Sequence, residues 1–433
     1  WVFLLMMVSE IASIESPDLV TSLPGWGKVD NVQFAGYANI DKNEQLFYWF
    51  VGRPNDWDKA PTILWTNGGP GSSSFWGFFK ENGPYVIESA LGDNPLLTSR
   101  PHSWHLKANY LIFEHPLSVS LSFAKNSSNI PSSPQEGVNQ LYTALQAFVR
   151  LHPQLASNPL LLAGESYAGT YLPLLAEAIL DGNKVAGNTV IDLRSTSIGN
   201  GWVDPFTQLQ SVTKYSYYHG LITEEQKVAL DTEYSGDKIV HVQKAIENIS
   251  GVYMANPAQV GDPPFDSVLL YLNRPDVRVA LHACPASKPI VDSSSETVAH
   301  NYQKYLYESV LPTVQNLLNR GHTVQVFSGM NSAKDCNFVG TYAWLDKLEG
   351  EAARCYKAAT PVQWRDDRNV VIGFNQDGGC LSMLRVLNAG HMSPMDQPLL
   401  VDKVLQVGLA RACHVQTGQA GPAINPPDSV WHR

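Results

Sequence analysis

One stretch of the chain constrains the fold more than any other. Residues 159–163 form an apolar run of strand length, and residues 164–169 follow it as Gly-Glu-Ser-Tyr-Ala-Gly. Beyond them, residues 171–180 carry apolar side chains at helical spacing. This order predicts a strand, a tight turn and a helix, with Ser166 on the turn. A serine there projects its hydroxyl above the sheet edge, and the helix N-terminus lies beneath the negative charge that forms when the hydroxyl attacks a carbonyl. We therefore predict that Ser166 is a nucleophile.

A glycine-rich segment follows an earlier strand pattern. Residues 62–66 are predicted to form a buried strand, and they run directly into Asn-Gly-Gly-Pro-Gly-Ser-Ser at residues 67–73. Such a loop exposes backbone N–H groups, but no Gly-Lys-Ser/Thr follows, so it is not a phosphate-binding loop. The segment is either a plain turn or an oxyanion hole, a set of backbone donors for the negative oxygen of a tetrahedral intermediate.

The candidate base lies near the end of the chain. Of twelve histidines, His391 alone sits in a loop of small residues just past a strand pattern and downstream of Ser166. Chain order Ser, acid, His is the order of the α/β-hydrolases. A lone histidine is more often structural, so this prediction depends on the other motifs.

The alternation of strand and helix patterns predicts an α/β-hydrolase with a mostly parallel central sheet. Residues 33–51 and 369–386 each predict an antiparallel hairpin. The alternation stops from about Pro205 to Val310, where aromatic-rich helical segments predominate. We predict core residues 18–204 and 311–415, an inserted helical cap at 205–310, and a flexible tail at 416–433.

Composition narrows the class of protein. A net charge of −10 and the lack of any basic run argue against nucleic acid as a partner. The apolar residues 1–8 are too short to span a membrane and resemble the end of a secretory signal peptide. Sequons at Asn126 and Asn248 agree with a secretory route and N-glycans. The five cysteines are spaced too widely for a zinc site, and their odd number leaves at least one free thiol if the others pair. We expect neither metal nor cofactor.

Several separated motifs together resemble the serine carboxypeptidases, acid-active α/β-hydrolases that remove C-terminal amino acids. The resemblance covers roughly Asp18 to Cys413. It rests on Trp-Thr-Asn-Gly-Gly-Pro-Gly-Ser-Ser at 65–73, Glu-Asn-Gly-Pro at 81–84, the nucleophile motif at 164–169, Gly-Asn-Gly at 199–201 and Ala-Gly-His-Met at 389–392.

The resemblance implies a role for each matching residue. Ser166 is the nucleophile and His391 the base. The remaining roles are an oxyanion hole made by the N–H groups of Gly69 and Tyr167, and a site for the substrate's terminal carboxylate made by Asn67, Glu81 and Glu165. Grouped carboxyls coexist only if some hold protons, and a protonated carboxyl donates a hydrogen bond to a carboxylate. A peptide or acyl-ester substrate is expected, with best activity in acid.

The chain departs from the family pattern at the acid. Where the family has Gly-Asp-x-Asp-x-x-Cys-Asn, residues 329–337 read Gly-Met-Asn-Ser-Ala-Lys-Asp-Cys-Asn. Counting from Gly329 places Ser332 at the acid position, and counting back from Cys336 places Ala333 there. Either an inserted residue lets Asp335 supply the carboxylate, or the catalytic triad lacks its acid. We predict that Asp335 contacts the His391 ring.

Other departures leave function classes open. Ser118 and Ser120 replace two glycines of the family pattern, and Ser72 stands where many members have a cysteine. The main hypothesis is an exopeptidase. An acyltransferase of the carboxypeptidase-like branch and a catalytically impaired binding homologue are the alternatives, and Glu165 and Asn67 favour the peptidase over the acyltransferase.

Overall fold

The structure, a computed structural model, describes residues 16–42, 44–88, 95–283 and 291–410. The strands are β1 (Ser22–Leu23), β2 (Gly27–Lys28), β3 (Gln33–Asn39), β4 (Glu44–Val51), β5 (Thr62–Thr66), β6 (Tyr85–Glu88), β7 (Leu96–Ser99), β8 (Asn109–Phe113), β9 (Phe123–Ala124), β10 (Leu160–Glu165), β11 (Leu193–Gly199), β12 (Thr323–Gly329), β13 (Val362–Arg365), β14 (Val371–Asp377) and β15 (Leu381–Val386). The α-helices are α1 (Pro134–Leu151), α2 (Ala168–Gly182), α3 (Pro205–Leu209), α4 (Val212–Tyr218), α5 (Glu224–Glu233), α6 (Val242–Ser250), α7 (Asp266–Leu272), α8 (Pro275–Ala280), α9 (Glu296–Tyr302), α10 (Leu311–Asn319), α11 (Phe338–Leu345), α12 (Gly350–Ala358), α13 (Ser393–Asp396) and α14 (Leu400–Gly408).

An eleven-stranded sheet forms the centre of the molecule, in the order β13-β14-β15-β12-β11-β10-β5-β8-β4-β3, with β9 paired to β4. The strands from β15 to β8 are parallel to one another. The outer strands are antiparallel, and they include the two predicted hairpins, β3–β4 and β14–β15. The predicted α/β-hydrolase fold with a mostly parallel central sheet is confirmed.

The parallel strands bring the predicted site residues to one edge of the sheet. Every residue of β5, β10 and β12 is buried, because strands of a parallel sheet are covered by helices on both faces. Because parallel strands end at a common edge, the loops that follow β5, β10, β11, β12 and β15 meet there.

Helices cover both faces of the sheet. Helix α1 is capped by Ser133, whose hydroxyl accepts a hydrogen bond from the Glu136 N–H at 3.2 Å. Helices α1 and α2 pack their apolar faces on one side of the sheet, and α14 packs on the other. The burial of these two faces is the main favourable term in folding.

The described residues of the segment 205–310 contain helices α3 to α9, joined by turns and irregular stretches, and contribute no strand to the central sheet. Its first part has a small core of its own, which includes Val212, Tyr215, Ile246 and Met254. Helices α7 and α9 instead contribute to the two main cores. The domain boundaries therefore stay a prediction, because the second half of the segment packs as part of the core.

Some predictions fall on residues that the structure does not describe. These are the signal-peptide pattern at residues 1–8, the tail at 416–433, and the cysteines at positions 284 and 413. Among the other cysteines, Cys336 is a buried free thiol, Cys355 is an exposed free thiol, and Cys380 is disulfide-bonded.

Candidate active site

Ser166 occupies the sharp turn between β10 and α2. Its φ of +64° lies in the left-handed region that non-glycine residues rarely adopt. The turn is held by hydrogen bonds from the Ser166 N–H to the Gly199 oxygen at 3.0 Å and from the Trp202 N–H to the Ser166 oxygen at 2.8 Å. A Cβ on Gly164 would lie 2.3 Å from the Thr66 oxygen, so the strained turn has no room for a larger residue there. The half-buried Ser166 side chain is therefore fixed at the sheet edge.

The glycine-rich loop lies directly against this turn. A Cβ on Gly68 would come within 2.2 Å of the Tyr167 nitrogen, so only glycine permits the approach. Gly69 has a φ of +110°. Among the hydrogen bonds of the described residues, neither the Gly69 nor the Tyr167 N–H is used as a donor. Among the described residues, the glycine-rich loop and the Ser166 turn thus each provide one backbone N–H that donates no hydrogen bond.

The side chain of Asn67 joins the two predicted carboxylate-binding glutamates. Its Nδ2 donates to Oε1 of Glu81 at 2.8 Å and to Oε1 of Glu165 at 3.2 Å. Its Oδ1 is fixed by Trp65 Nε1 and by the Gly77 N–H, each at 2.9 Å. Glu81 reaches the amide from a short π-helical turn, Gly77–Glu81. Asn67, Glu81 and Glu165 therefore lie together, as the sequence predicted.

The buried surroundings of both glutamates favour their protonated forms. Burial raises the pKa of Glu81 to about 7, although hydrogen bonds with Asn67 and Glu165 oppose the rise. Burial and the neighbouring charge of Glu81 raise the pKa of Glu165 well above its usual range. Oε2 of each carboxyl has no hydrogen-bond partner among the described residues. Both Oε2 atoms are therefore free to donate a hydrogen bond when the carboxyls hold protons.

His391 is held in the loop between β15 and α13. Its N–H donates to the Ala255 oxygen at 2.8 Å, and the residue is only 7% exposed. Burial and, to a lesser extent, the charge of Lys334 lower the pKa of the imidazole well below its usual range. Asp396 supports the same loop by accepting the Gly390 N–H at 2.7 Å. No hydrogen bond joins the His391 ring to Ser166 within the described residues, a contact that often tightens only when substrate binds.

Asn200 ties these loops to one another. Its Oδ1 accepts the Ser393 hydroxyl at 2.8 Å and the Gly329 N–H at 3.0 Å, and its Nδ2 donates to Ser328 Oγ and the Cys336 oxygen, each at 3.2 Å. One buried amide thus connects the end of β11, beside the nucleophile turn, with the end of β12 and with the residues after His391. We predicted only the turn at 199–201 and missed this role, although the Gly-Asn-Gly motif at a strand end was its signal.

The structure does not join Asp335 to the base, and this corrects the prediction of a contact between Asp335 and the His391 ring. Nδ1 of His391 has no hydrogen-bond partner among the described residues. The Asp335 N–H donates to Gln243 Oε1 at 3.0 Å, and its carboxylate instead interacts with the Cys336 thiol. In this loop Asp335 therefore contacts the adjacent Cys336 and Gln243 of α6.

Ser332 is the residue at the acid position when the motif is counted forward from Gly329. Its side chain is fully buried and its Oγ has no hydrogen-bond partner among the described residues. The loop meets the histidine loop through a hydrogen bond from the Asn331 N–H to the Ala389 oxygen at 2.8 Å. Two buried polar atoms, Ser332 Oγ and His391 Nδ1, are thus left unpaired on adjoining loops.

The two serines that replace family glycines have positive φ angles, +81° at Ser118 and +47° at Ser120. The strain expected from the sequence is therefore present in the backbone. Ser120 is fully buried, and its hydroxyl has no hydrogen-bond partner in the described part of the chain.

The described residues contain no helix long and apolar enough to cross a membrane. They also contain no group of three or more side chains suited to binding a metal ion.

Comparison with known proteins identifies a family. The sequence profile described as serine carboxypeptidase matches residues 24–259 and 240–410. The venom serine carboxypeptidase of Apis mellifera is 29% identical over 395 residues, which cover 84% of this chain and 81% of that protein. The lysosomal protective protein of Mus musculus is 27% identical over 459 residues, covering 91% and 94%.

A solved structure shows the same fold. Kex1Δp, a prohormone-processing carboxypeptidase from Saccharomyces cerevisiae, superposes with a TM-score of 0.77 over 91% of this chain and 96% of its own. The two sequences are 23% identical, so this likeness carries the fold alone.

Proposed function

Because the chain belongs to the serine carboxypeptidase family, we propose that it releases C-terminal amino acids from peptides in acid, through an acyl-enzyme on Ser166. The observation that carries this proposal is the cluster of Asn67, Glu81 and Glu165, since Glu165 directly precedes the serine in the chain. A carboxylate-binding site beside a nucleophile selects the last peptide bond of a substrate.

The cluster suits a terminal carboxylate because it is able to donate hydrogen bonds. With a proton on each glutamate, the carboxyl groups present O–H donors to the substrate, and the Asn67 amide adds N–H donors. Deprotonated glutamates would repel the same group. The raised pKa values of Glu81 and Glu165 therefore make substrate binding dependent on mild acid.

The proposed chemistry begins with attack of Ser166 Oγ on the scissile carbonyl as His391 accepts the hydroxyl proton. The N–H groups of Gly69 and Tyr167 stabilise the negative oxygen of the tetrahedral intermediate. The imidazolium then returns its proton to the departing amine, which leaves an ester of Ser166 and a free amino acid. Water, deprotonated by His391, hydrolyses the ester.

The pKa values set the direction of the pH dependence. His391 is required in its neutral form, and its lowered pKa keeps it neutral in mild acid. The glutamate pair is required protonated, and the pKa of Glu81 of about 7 places the loss of activity near neutrality. The rate therefore rises through the pKa of His391 and falls through that of the pair.

One observation favours reduced turnover, the catalytically impaired alternative. Nδ1 of His391 lacks a carboxylate partner among the described residues, and the nearby Lys334 charge disfavours the imidazolium. Loss of the orienting acid costs about 10⁴ in kcat in a serine protease of known mechanism. No specific observation favours the acyltransferase.

The cellular route is part of the proposal. Relatives include proteins named for venom and for the lysosome, which agrees with a secretory route for this chain. The sequon residues Asn126 and Asn248 are both exposed, as attachment of an N-glycan requires. Glycosidase treatment of the protein from a eukaryotic secretory host should lower its mass, and Asn126→Gln and Asn248→Gln should each remove part of the shift.

The test of the activity is release of the C-terminal residue from N-blocked dipeptides, followed across pH, with Ser166→Ala as the control. Product from the natural chain and none from Ser166→Ala supports the proposal. Equal release by both proteins, or cleavage only at internal bonds, would overturn it.

A further inference from the structure

One backbone oxygen of the turn that carries Glu81 has no donor within that turn. Gly77–Glu81 is a π-helical turn, and the N–H groups of the next two residues donate to the Gly77 oxygen at 2.9 and 3.0 Å. The Phe79 oxygen would accept the N–H of residue 83 in an α-helix and that of residue 84 in a π-helix. The first N–H is already used and residue 84 is a proline, so this oxygen needs a donor from another segment.

Arg100, directly after β7, provides this donor. Its Nη2 donates to the Phe79 oxygen at 2.6 Å, and its Nε donates to the Gly83 oxygen at 3.0 Å. These oxygens belong to the residues two positions before and two positions after Glu81. The half-buried guanidinium, whose donors form a rigid planar fork, therefore holds the backbone on both sides of the residue that accepts from the Asn67 amide.

The rest of the turn is held without the Arg100 side chain. The Asn82 backbone oxygen accepts the Trp104 N–H at 2.9 Å, and its side-chain Oδ1 accepts the Tyr110 hydroxyl at 2.6 Å. These contacts and the bonds to the Gly77 oxygen do not involve the guanidinium. A neutral residue at position 100 should therefore loosen the backbone around the glutamate without unfolding the turn.

The guanidinium also places a positive charge near Glu81. No ion pair joins Arg100 to a carboxylate in the part of the chain that the structure describes. Its charge nevertheless acts to lower the pKa of Glu81, in opposition to burial. The side chain that holds the turn therefore also favours the ionised form of the glutamate.

Other titratable groups face Glu81 from three neighbouring elements. Glu165 of β10 accepts from the same amide, and the charge of Asp396 on α13 acts to raise the pKa of Glu81. Tyr110 of β8 stays neutral, because burial raises the pKa of its hydroxyl well above the usual value. Lys80, on the turn itself, donates to a serine hydroxyl of α7 at 3.3 Å. Among the described residues, the guanidinium is thus the cation that acts to lower the pKa of this carboxyl.

We propose that Arg100 is a positioning residue of the carboxylate-binding site, which caps the turn of Glu81 and so keeps this carboxyl on the Asn67 amide. Arg100 acts through Glu81 and takes no part in the chemistry at Ser166. This inference rests on the proposed function, because the carboxylate-binding role of Glu81 belongs to it. None of the sequence motifs that indicated the family includes position 100.

Arg100→Met should lower kcat/KM for free-acid N-blocked dipeptides by about tenfold, the scale of one lost charge-assisted hydrogen bond. The loss should lie in KM rather than kcat, because both side-chain contacts of Arg100 are to the turn of Glu81. The C-terminal amides of the same dipeptides should lose less, so the ratio of kcat/KM for acid to that for amide should fall. Arg100→Lys keeps a charged donor and should retain part of this ratio.

The pH dependence of the acid-to-amide ratio distinguishes this role from a merely structural one. Arg100→Met removes a positive charge that favours ionised Glu81, so the pKa of Glu81 should rise above about 7. The fall of the ratio with rising pH should then move upward by about one unit. Arg100→Lys retains the charge, and its fall should stay where the natural chain has it. Loss of structure alone would expose Glu81 to water and move the fall downward, toward the ordinary Glu pKa.

The matched control is Arg194→Met, which makes the same chemical change at the opposite end of β11 from Gly199. The Arg194 side chain is 44% exposed and paired with Asp192, so the control should leave the ratio and its pH dependence unchanged. Urea unfolding shows whether each variant is folded, and Arg100→Gln replaces Arg100→Met if the latter is not. The proposal is overturned if Arg100→Met keeps the natural ratio, if acids and amides lose equally, or if the fall with pH does not move upward.

Binding separates this inference from the proposed function. Calorimetry of the free-acid dipeptide and its amide with the Ser166→Ala protein needs no turnover. If the natural chain releases no product, but the Ser166→Ala protein prefers the free acid and Arg100→Met in that background weakens the preference about tenfold, the catalytic proposal fails and the positioning proposal stands. If the natural chain is active and the preference survives Arg100→Met unchanged, only the positioning proposal fails.

Discussion

The Ser393 hydroxyl donates a hydrogen bond to Oδ1 of Asn200 across 2.8 Å, and this contact fixes the histidine loop to the end of β11. Asn200 directly follows Gly199, whose oxygen accepts the Ser166 N–H. The loops of the proposed nucleophile and base are thus positioned by one buried amide, which uses both of its donors and its acceptor oxygen.

Asn200→Ala should lower kcat/KM by at least about tenfold and the stability by about 2 kcal/mol, because four buried hydrogen bonds are lost. Asn200→Asp keeps the oxygen that accepts from Ser393 and Gly329 but removes both donors, so its effect on kcat/KM should be smaller. Steady-state kinetics and urea unfolding of the two variants measure this. Equal losses in both variants would show that the acceptor oxygen has no special role.

Ser120→Gly should stabilise the protein by about 1 kcal/mol, because it relieves a positive φ and removes a buried, unpaired hydroxyl. Ser122→Gly is the matched control, since the Ser122 hydroxyl accepts the Phe47 N–H at 2.8 Å and donates to the Glu114 oxygen. The control should destabilise. Thermal or urea unfolding decides, and a loss of stability in Ser120→Gly would mean that the hydroxyl has an essential contact.

Asp335→Asn should leave kcat within about twofold of the natural value, because Asp335 does not contact His391, whereas removal of a triad acid costs about 10⁴. Ser332→Asp should raise kcat by at least about tenfold, since a carboxylate at this buried position provides the missing charge beside the histidine loop. A carboxylate that reaches the ring also raises the pKa of His391, so the acid limb of the pH profile should move upward. A large loss in Asp335→Asn would contradict this description of the loop.

A buried carboxyl, that of Asp18, makes stability depend on pH. Burial acts to raise the pKa of Asp18, but hydrogen bonds from His152, Ser16 and Tyr48 outweigh it, and the pKa is lowered. A carboxyl with a depressed folded-state pKa stabilises the fold above its unfolded pKa, and this contribution is lost as pH falls through the folded value. Asp18→Asn should therefore cost about 3 kcal/mol near neutrality, and the cost should shrink below about pH 4.

The control for Asp18→Asn is Asp181→Asn, because the Asp181 side chain is 58% exposed and its ion pairs with Lys184 and Arg320 are screened by water. Its cost should not exceed about 0.5 kcal/mol. Urea unfolding of both variants between acid and neutral pH measures the difference. A pH-independent cost for Asp18→Asn would show that charge is not the source of the stabilisation.

The sequence predicts the parts of the site that are fixed by local pattern. The turn at Ser166 follows from small residues between a strand and a helix, and the cluster of Asn67, Glu81 and Glu165 follows from the resemblance of separate motifs. Burial of residues 160–164 of β10 is readable because a strand covered on both faces is rich in apolar and small residues.

What the sequence does not predict depends on contacts between distant segments. Asn200 contacts the end of β12 with the loop after it and also the histidine loop, and no periodicity of the chain shows which loops meet. Counting from the two ends of the acid motif gives two different acid positions before Cys336. Only the contacts of Asp335 with Gln243 and with the Cys336 thiol show where this residue lies.

The central claim is that protonated Glu81 and Glu165 recognise a free terminal carboxylate, and the ratio of kcat/KM for a free-acid dipeptide to that for its C-terminal amide tests it most directly. The account predicts a ratio well above one in mild acid that falls as pH rises through about 7, the pKa of Glu81. It also predicts that Glu165→Gln, whose amide donates at every pH, weakens this fall. A ratio that is below one in mild acid, or one that does not change with pH, would contradict the assignment of this cluster.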